Sequence, residues 1–524
     1  SLLSTATFRM PGVPTTPPAE PMQNALDGFS TTQPITARFS GAIDAASLSP
    51  ANVIVLRVNI DPATKGVVGF AGQLVPGTDF SLGVDTTLGS TTLEITPLRP
   101  LAPKSGYLVF LLNTIRSTSG EAASADTDFA TIRQSILTEF AGRPPGSPPA
   151  AASCADIAGA TLRAHCQLTS SHFIIASVAQ IPPANVILSF SFSTQSVSDT
   201  LDFLNTTTTA GAYTIANTGL TTPQVLPGSP GAARIFPGTL TVPYYLTPPS
   251  AGDPTAPLTR YWTAAATQPF TAPGIDPNSQ LVTRFKPAPA VKATLEIPLL
   301  VTLPALGAPG PDGWPIVIFQ HGTPRTRGDV LLVADRLSAE GFATIAIDLP
   351  LHGITPTDDF APLRQAGRER TFDLDFVNNN TSAPGPDGVI DATGTHFINL
   401  TNLLVSRDNV RQTVADLITL VRTIPTIDVD TNGSPDFDPA RIHYIGFSFG
   451  GIAGTPFLGV NSEVGASELP MAAGGLTAVL QGSGVYGPRI NAALAAANPL
   501  IQPGSALYRG LFRDAQTAPD SARG

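Results

Sequence analysis

The sequence predicts two kinds of domain in one chain: an all-β sandwich first, then an α/β domain with a doubly wound, mostly parallel sheet. Runs of alternating or β-branched residues, such as PITARFSGAIDAASL and ANVIVLRVNI, recur in the first third and are typical of a sandwich. Beyond residue 313 the strands are apolar throughout and alternate with helical patterns, which is typical of a parallel sheet covered on both faces. With 524 residues, the chain also exceeds the size at which one hydrophobic core stops growing.

We divide the chain into four segments where its composition changes. The sandwich, which we expect to be Ig-like, occupies residues 1–135 and ends near the Pro- and Gly-rich run GRPPGSPPAAAS. Residues 136–210 are predicted to be a linker and a mixed segment. Residues 211–300, poor in charge and rich in Thr and Pro, are predicted to be a β-rich extension or a lid. The α/β core takes residues 301–524.

Charge and hydropathy exclude two classes of function. The chain has 29 Lys and Arg against 39 Asp and Glu, a net charge of −10, so we expect no nucleic-acid partner. It contains no run of ~18 uninterrupted apolar residues, which argues against a transmembrane helix. The first residues, SLLSTATFRMPGVP, lack the charged and apolar regions of an export signal, so any such signal has been removed or was never present.

The two cysteines of the chain, Cys154 and Cys166, are 12 positions apart. Two nearby cysteines and no others favour a disulfide in an exported protein, with two inert buried thiols as the alternative. A zinc site is less favoured, because a tetrahedral site needs four ligands and no further cluster of Cys or His is near.

The run Gly446-Phe447-Ser448-Phe449-Gly450 follows the predicted strand RIHYIG and fits the pattern G-x-S-x-G. In this context the serine sits on a strained turn between strand and helix, where only glycines leave room on either side. We therefore predict that Ser448 is a nucleophile and that Gly446 and Gly450 form its elbow. A plain glycine-rich turn is the alternative.

A second motif, His321-Gly322-Thr323, follows the buried strand WPIVIFQ. An α/β-hydrolase places one oxyanion-hole amide in such a loop and the other directly after the nucleophile, so we assign the amides of Thr323 and Phe449 to that hole. Pro324 has no N–H, which narrows the loop donor to Thr323 or Gly322. His321 itself is interpreted as a structural histidine. The two motifs together predict an α/β-hydrolase fold for the core.

Asp348 and His352, in DLPLHG, end the second predicted strand of the core on the side where ligands bind in open α/β sheets. Both are interpreted as hydrogen-bonded loop anchors. His352 is also the one local histidine that could serve the pocket if the chain were self-sufficient.

These motifs resemble a known family. The runs FQHGTPRTRGDVLLVADRLSAEGFATIAIDLPLHG, IGFSFGGIAGT and ALDGFSTTQPITARFSGAIDAASL are similar to bacterial extracellular lipases and surface lysophospholipases, which have a β-rich lipase N-terminal domain. The resemblance covers most of the chain and is weakest over residues 210–300. It implies hydrolysis of carboxylic esters in lipid-like substrates. It also implies an exported protein, extracellular or at the outer-membrane surface with the periplasm as an alternative, and peripheral association with the outer membrane.

The base of a hydrolase triad is missing after the nucleophile. In this fold the chain order is Ser, then Asp or Glu, then His. Every histidine nevertheless precedes Ser448: His165, His172, His321, His352, His396 and His443. After the elbow helix we expect one strand, in GGLTAVLQGSGVYG, and a tail. Three explanations stay open: the chain stops short of its natural C-terminus, the base comes from a C-terminal fragment or partner chain, or this copy is inactive.

An acidic run before the elbow strand resembles half of a calcium loop. Asp428, Asp430 and Asn432 alternate, a glycine holds the sixth position, and Asp436 follows. Position 12 is Pro439 instead of a bidentate Glu, so a non-EF-hand calcium loop and a solvated acidic turn both stay open. We expect no required cofactor and one candidate structural ion, calcium.

Two functions follow from these patterns. The first is a serine carboxylic-ester hydrolase, of lipase, esterase or lysophospholipase type, that forms an acyl-enzyme on Ser448 with a lipid or acyl-ester substrate. The alternative is a non-catalytic surface or assembly subunit that keeps the hydrolase scaffold. The sequence does not specify an oligomeric state.

Overall fold

The computed structural model describes six stretches of the chain: residues 26–85, 91–144, 150–266, 278–381, 383–484 and 486–520. The N-terminal run SLLSTATFRMPGVP and residues 145–149 of the Pro- and Gly-rich run lie outside them. The described residues form two compact units. The first contains the residues up to Ser196 together with 278–279 and 480–520, and the second contains 197–266 and 280–479.

Seven strands build the first unit: β1 (Ile35–Arg38), β2 (Val53–Ile60), β3 (Val67–Gln73), β4 (Phe80–Asp85), β5 (Thr92–Pro97), β6 (Gly106–Leu112) and β7 (Val186–Ser193). They form two antiparallel sheets, in the orders β1-β5-β4 and β3-β2-β6-β7. Alternate residues of β6 enter different cores, because side chains point to opposite faces along a strand. Val109 and Leu111 pack with the three-stranded sheet, whereas Leu108 and Phe110 pack with helices.

Two helices, α1 (Thr127–Ala141) and α2 (Ala160–Val178), cover the outer face of the four-stranded sheet. Helix α1 begins where the Asp126 carboxylate accepts a hydrogen bond from the Phe129 amide, at 2.9 Å, which satisfies one of the free donors at a helix start. Its buried side chains include Phe129 and Ile136, which join the same core as Leu108 and Phe110 of β6.

The first unit extends beyond the boundary that was predicted at residue 135. Strand β7 pairs with β6 and so completes the four-stranded sheet, and both helices between them are buried against it. Residues 150–196, which were expected to belong to a linker and mixed segment, are therefore part of this unit, which continues to Ser196.

The second unit contains a seven-stranded sheet made of β8 (Tyr213–Ile215), β9 (Ala233–Tyr244), β10 (Ala293–Pro304), β11 (Trp314–Gln320), β12 (Ala343–Ile347), β13 (Phe437–Gly446) and β14 (Ala466–Glu468). The order across the sheet is β14-β13-β11-β12-β10-β9-β8. Strands β11 to β14 pair in parallel, while β8, β9 and β10 join through antiparallel pairs, so five of the seven strands run in one direction.

The remaining helices are α3 (Asp199–Thr207), α4 (Thr222–Val225), α5 (Ala256–Thr259), α6 (Leu331–Ala339), α7 (Leu403–Thr423), α8 (Phe449–Val460), α9 (Leu476–Gly482), α10 (Tyr486–Ala497) and α11 (Ala506–Asp520). Helix α6 packs on one face of the sheet, through Leu331 and Ala334. Helices α7 and α8 pack on the other, where Leu417 and Phe457 meet the inner strands. This sheet, covered on both faces, is that of an α/β-hydrolase, and the predicted fold class is confirmed.

Residues 211–300 are predicted to be a β-rich extension or a lid. The part described contains β9 and most of β10, which pair over twelve positions within the central sheet and not as a lid. Where a strand is expected in GGLTAVLQGSGVYG, Leu476–Gly482 instead form a helix, with Leu476 and Leu480 buried one turn apart. Residues 480–520 accordingly group with the first unit, although 301–524 was predicted to be one core. Among the described helices, none is long and apolar enough to cross a membrane.

Candidate active site

Ser448 lies at a sharp turn between β13 and α8. Its backbone has φ 53° and ψ −113°, a conformation that costs free energy for a residue with a Cβ and that is often found at functional sites. Gly446 and Gly450, on either side of Ser448, have no room for a Cβ. A Cβ on Gly446 would come 2.6 Å from the Gly450 carbonyl oxygen, and one on Gly450 would come 2.2 Å from the carbonyl oxygen of Gln320. The turn therefore holds Ser448 where the sheet ends and the helix begins.

The loop after β11 lies directly against this turn. A Cβ on Gly322 would come 2.8 Å from the Ser448 Cβ and 3.3 Å from the Phe449 nitrogen. In the described part of the chain, the amides of Thr323 and Phe449 donate to no other group. Phe449 is the first residue of α8, where an amide has no partner within the helix. Both N–H groups are thus unused within the described part of the chain, and the Phe449 nitrogen lies at the contact between the loop and the turn.

His321 anchors this loop. Its ring is fully buried; Nδ1 donates to the Gly322 carbonyl oxygen at 2.9 Å and Nε2 accepts from the Leu349 amide at 3.1 Å. Both nitrogens are occupied, so His321 ties the loop to the segment after β12, in the structural role that its sequence position suggests.

His352 is not placed to act as a base. Nδ1 lies 2.9 Å from the Pro350 carbonyl oxygen, which can only accept, so Nδ1 carries the proton and Nε2 accepts from the Thr323 hydroxyl at 2.9 Å. Burial, and secondarily the neighbouring His321, lowers the pKa of His352 to about 3. The ring is therefore neutral with both nitrogens engaged, and it serves as a loop anchor.

Asp348 anchors the same region through a buried ion pair. Its carboxylate accepts the Arg327 amide at 2.7 Å and faces the Arg327 guanidinium, which also binds both oxygens of Glu369 at 2.8 Å. Burial alone would raise the pKa of Asp348. The charge of Arg327, the neighbouring His321 and the Arg327 amide together outweigh burial and hold that pKa well below its ordinary value. Because its carboxylate binds Arg327, Asp348 anchors the loop and does not serve as a triad acid.

A histidine–carboxylate pair that the sequence did not reveal lies in the insertion between β12 and α7. His396 Nε2 is 2.7 Å from an oxygen of Asp391, whose carboxylate also accepts the amides of Phe376 and Val377. The Asp391 carboxylate thus connects His396 with Phe376 and Val377 within the same insertion. Among the described residues, no histidine forms a hydrogen bond with Ser448.

The acidic run does bring three carboxylates together. Oxygen atoms of Asp428, Asp430 and Asp436 lie within 4.8 Å of one another. Burial, and then the neighbouring Asp430 and Asp428 charges, raises the pKa of Asp436. Asn432 turns its carbonyl oxygen to the Ser434 amide instead. Carboxylate oxygens are the ligands that calcium prefers, so the donor chemistry fits such an ion.

The cysteines of the first unit are bonded to each other. Cys154 and Cys166 form a disulfide with an S–S distance of 2.02 Å, and both are fully buried. The Glu139 carboxylate accepts the amides of Ser153 and Cys154 and so fixes the start of the bridged loop.

The N-terminal part of the chain is similar to a known family. Residues 14–131 match the family described as a bacterial Ig-like domain, a range that includes β1 to β6. No curated protein matches the chain.

Solved structures with some similarity include several esterases. The acetyl xylan esterase from Paenibacillus sp. R4 is 13% identical, covers 62% of this chain and 72% of its own, and gives a TM-score of 0.32. Acetyl xylan esterase 1 from Thermoanaerobacterium sp. JW/SL YS485 is also 13% identical, with coverages of 62% and 74% and a TM-score of 0.33. A cold-adapted esterase from an Arctic intertidal metagenomic library is 14% identical, with coverages of 34% and 53% and a TM-score of 0.19. Because these TM-scores are low, any function depends on the geometry around Ser448.

Proposed function

We propose that the protein is a serine carboxylic-ester hydrolase that acts through an acyl-enzyme on Ser448. The observation that carries the proposal is the contact between the elbow and the loop after β11. Gly322 abuts Ser448 there, and the amides of Thr323 and Phe449 have no partner in the described part of the chain. A strained serine beside two free N–H groups is the arrangement that acyl transfer requires.

In the proposed reaction, Ser448 Oγ attacks the carbonyl carbon of the ester and the carbonyl oxygen becomes an oxyanion. The amides of Thr323 and Phe449 donate to that oxyanion, which stabilises the tetrahedral intermediate. The C–O bond to the alcohol then breaks, the alcohol leaves with a proton, and an acyl-enzyme remains on Ser448. Water hydrolyses this ester in a second, analogous step and restores the serine.

General-base catalysis needs a histidine beside Ser448, and the described histidines near the loop are already occupied. His321 and His352 each use both ring nitrogens, and His396 is paired with Asp391. We therefore assign the base to a C-terminal fragment or a partner chain. Mass spectrometry of the natural protein after purification tests this assignment. A co-purifying polypeptide whose peptides contain both Asp and His would support it.

We further propose that the substrates are acyl esters of lipid type and that the protein works outside the cytoplasm, extracellularly or at the outer-membrane surface. The first part rests on the resemblance of the motifs around Ser448. The second is supported by the disulfide, since such bonds persist in oxidising compartments.

The test is hydrolysis of p-nitrophenyl esters with acyl chains of increasing length, combined with covalent labelling by a fluorophosphonate. We expect wild-type protein to hydrolyse the esters and to carry the label on Ser448, and Ser448→Ala to lose both. Ser462→Ala, which changes an exposed serine beyond α8, is the matched control and keeps both.

A non-catalytic subunit is the second candidate, and the absence of a histidine bonded to Ser448 in the described residues favours it. Natural full-length protein that neither hydrolyses esters nor takes the phosphonate label would establish this alternative. Ester hydrolysis that survives in Ser448→Ala would exclude the proposed nucleophile and point to another site.

A further inference from the structure

A continuous path of side chains connects Thr323, in the loop after β11, with Phe449, the first residue of α8. The Thr323 hydroxyl donates to His352 Nε2 at 2.9 Å. The His352 ring meets the Phe397 ring edge to face, with centroids 5.2 Å apart. Phe397 in turn meets Phe449 edge to face at 4.9 Å. No residue in this path belongs to the G-x-S-x-G motif except Phe449.

The His352 ring is held on every side. Its Nδ1 donates to the Pro350 carbonyl oxygen, the His321 ring packs 5.1 Å away, and the side chain is fully buried. Gly394, at φ +76°, gives the ring its space, because a Cβ there would come 2.3 Å from His352 Nε2. The acceptor that meets the Thr323 hydroxyl is therefore fixed in position and in tautomer.

Phe397 is equally constrained. It is fully buried, and its carbonyl oxygen accepts from the Asn409 side chain of α7 at 2.8 Å. The insertion between β12 and α7 thus contributes one rigid aromatic contact to the start of α8, and the same insertion contributes Gly394 to the packing of His352.

We propose that His352 and Phe397 are positioning residues that hold the amides of Thr323 and Phe449 at the separation an oxyanion requires. The inference rests on the proposed ester hydrolysis and adds to it the residues that set the oxyanion hole. An oxyanion hole works only when both donors lie about 2.7 to 3.1 Å from the oxyanion. Neither His352 nor Phe397 touches the substrate in this proposal; each acts through Thr323 or Phe449.

The sharpest variant is Thr323→Val, which preserves shape and the backbone amide but removes the hydroxyl that His352 accepts. We expect kcat for ester hydrolysis to fall by about 10- to 100-fold, because a misplaced donor loses stabilisation of the transition state alone. KM should stay within about twofold, since ground-state binding is unaffected. Thr323→Ser retains the hydroxyl and should restore most of kcat.

His352→Ala removes the other partner of the same hydrogen bond. The double variant Thr323→Val/His352→Ala should be no slower than the slower single variant, because both changes remove one interaction. Phe397→Leu should lower kcat by a smaller factor, again with little change in KM.

Val301→Ala, in the core of β10, is the control for lost stability. It should lower the melting temperature and leave kcat unchanged at a temperature where the protein is folded.

The outcomes separate the two proposals. Wild-type protein without ester hydrolysis or labelling at Ser448 would overturn the proposed function, and the positioning roles with it. Active wild-type protein with an unchanged kcat in Thr323→Val would overturn the positioning roles alone. A fall in kcat that Thr323→Ser fails to rescue, or that Val301→Ala reproduces, would also overturn them.

Discussion

Gly322 and Ser448 lie so close that a Cβ on the glycine would come 2.8 Å from the Cβ of the serine. The same added atom would lie 2.9 Å from the Phe447 carbonyl oxygen, so no small shift of one side chain relieves the contact. The loop and the elbow are thus in direct contact, and only glycine permits it.

Gly322→Ala should therefore separate the loop from the elbow. We expect kcat/KM for a p-nitrophenyl ester to fall by about 10²- to 10³-fold, the loss seen when one oxyanion donor is removed. Gly252→Ala is the matched control, since a Cβ there meets nothing within 4 Å. Equal kcat/KM in Gly322→Ala and wild type would contradict the assignment of the oxyanion hole.

The elbow and the loop could be predicted because their signals are local. A buried strand followed by G-x-S-x-G, or by His-Gly-Thr, needs only a few adjacent residues to specify its conformation. The structure brings the loop that contains Gly322 against the turn that contains Ser448 and Phe449. The roles of Ser448, Thr323 and Phe449 in catalysis stay predictions.

The pairing of distant segments could not be predicted in the same way. Strand β7 joins the sandwich by pairing with β6, although two helices separate these strands in the sequence. Strand β9 joins the central sheet by pairing with β10. A local pattern does not specify its partner, so composition predicts a boundary near residue 135, whereas the pairing of β7 with β6 continues the first unit to Ser196. The pair formed by His396 and Asp391 was missed for a similar reason, because its loop has no periodic signal.

Removing the disulfide should destabilise the first unit. The bridge from Cys154 to Cys166 closes a loop of 12 residues, and loops of this size gain about 3 kcal/mol in the chain-entropy account. We expect the double variant Cys154→Ser/Cys166→Ser to unfold at lower urea concentration than oxidised wild type. Reductant should lower the wild-type midpoint and leave the variant unaffected; a wild-type midpoint that does not respond to reductant would contradict the bond.

Arg327 should be the most sensitive charged residue near the loop. Arg327→Met leaves Asp348 and Glu369 as two buried carboxylates without their cation, a change that typically costs about 3 to 5 kcal/mol. Arg336→Met, in an exposed pair, is the control and should change the unfolding free energy little. Urea unfolding measures both variants. If Arg327→Met and Arg336→Met lower the free energy of unfolding equally, the buried ion pairs contribute no more to stability than the exposed pair.

The acidic run makes calcium dependence testable. Three converging carboxylates repel one another, and a cation would relieve that repulsion, so we expect millimolar Ca²⁺ to raise the melting temperature. At ten times Kd the gain in unfolding free energy is about 1.4 kcal/mol. Asp430→Asn should abolish the response, whereas Asp387→Asn, in another acidic loop, should not. A melting temperature that is equal in Ca²⁺ and in chelator would identify a solvated acidic turn.

The buried His172 of helix α2 should make the first unit sensitive to mild acid. Its ring nitrogens lie 3.0 and 3.1 Å from the hydroxyls of Ser189 and Ser191, and burial lowers its pKa to about 3, from an ordinary value of 6.5. Between these values the unfolded chain binds a proton that the folded chain does not. The contribution of His172 to stability is therefore complete above pH 6.5 and falls as the pH drops below it, by about 1.4 kcal/mol per pH unit.

Urea unfolding at pH 7, 6 and 5 measures this slope. His172→Gln should reduce the slope by the contribution of one proton, whatever its effect on stability at pH 7. Gln167→Ala, on the same helix, removes no titratable group; it is the control and should keep the wild-type slope. Carboxylates such as Asp348, whose pKa is held low, lose their contribution only at more acidic pH, so they do not mask the result. Identical slopes in wild type and His172→Gln would contradict a neutral buried histidine at this position.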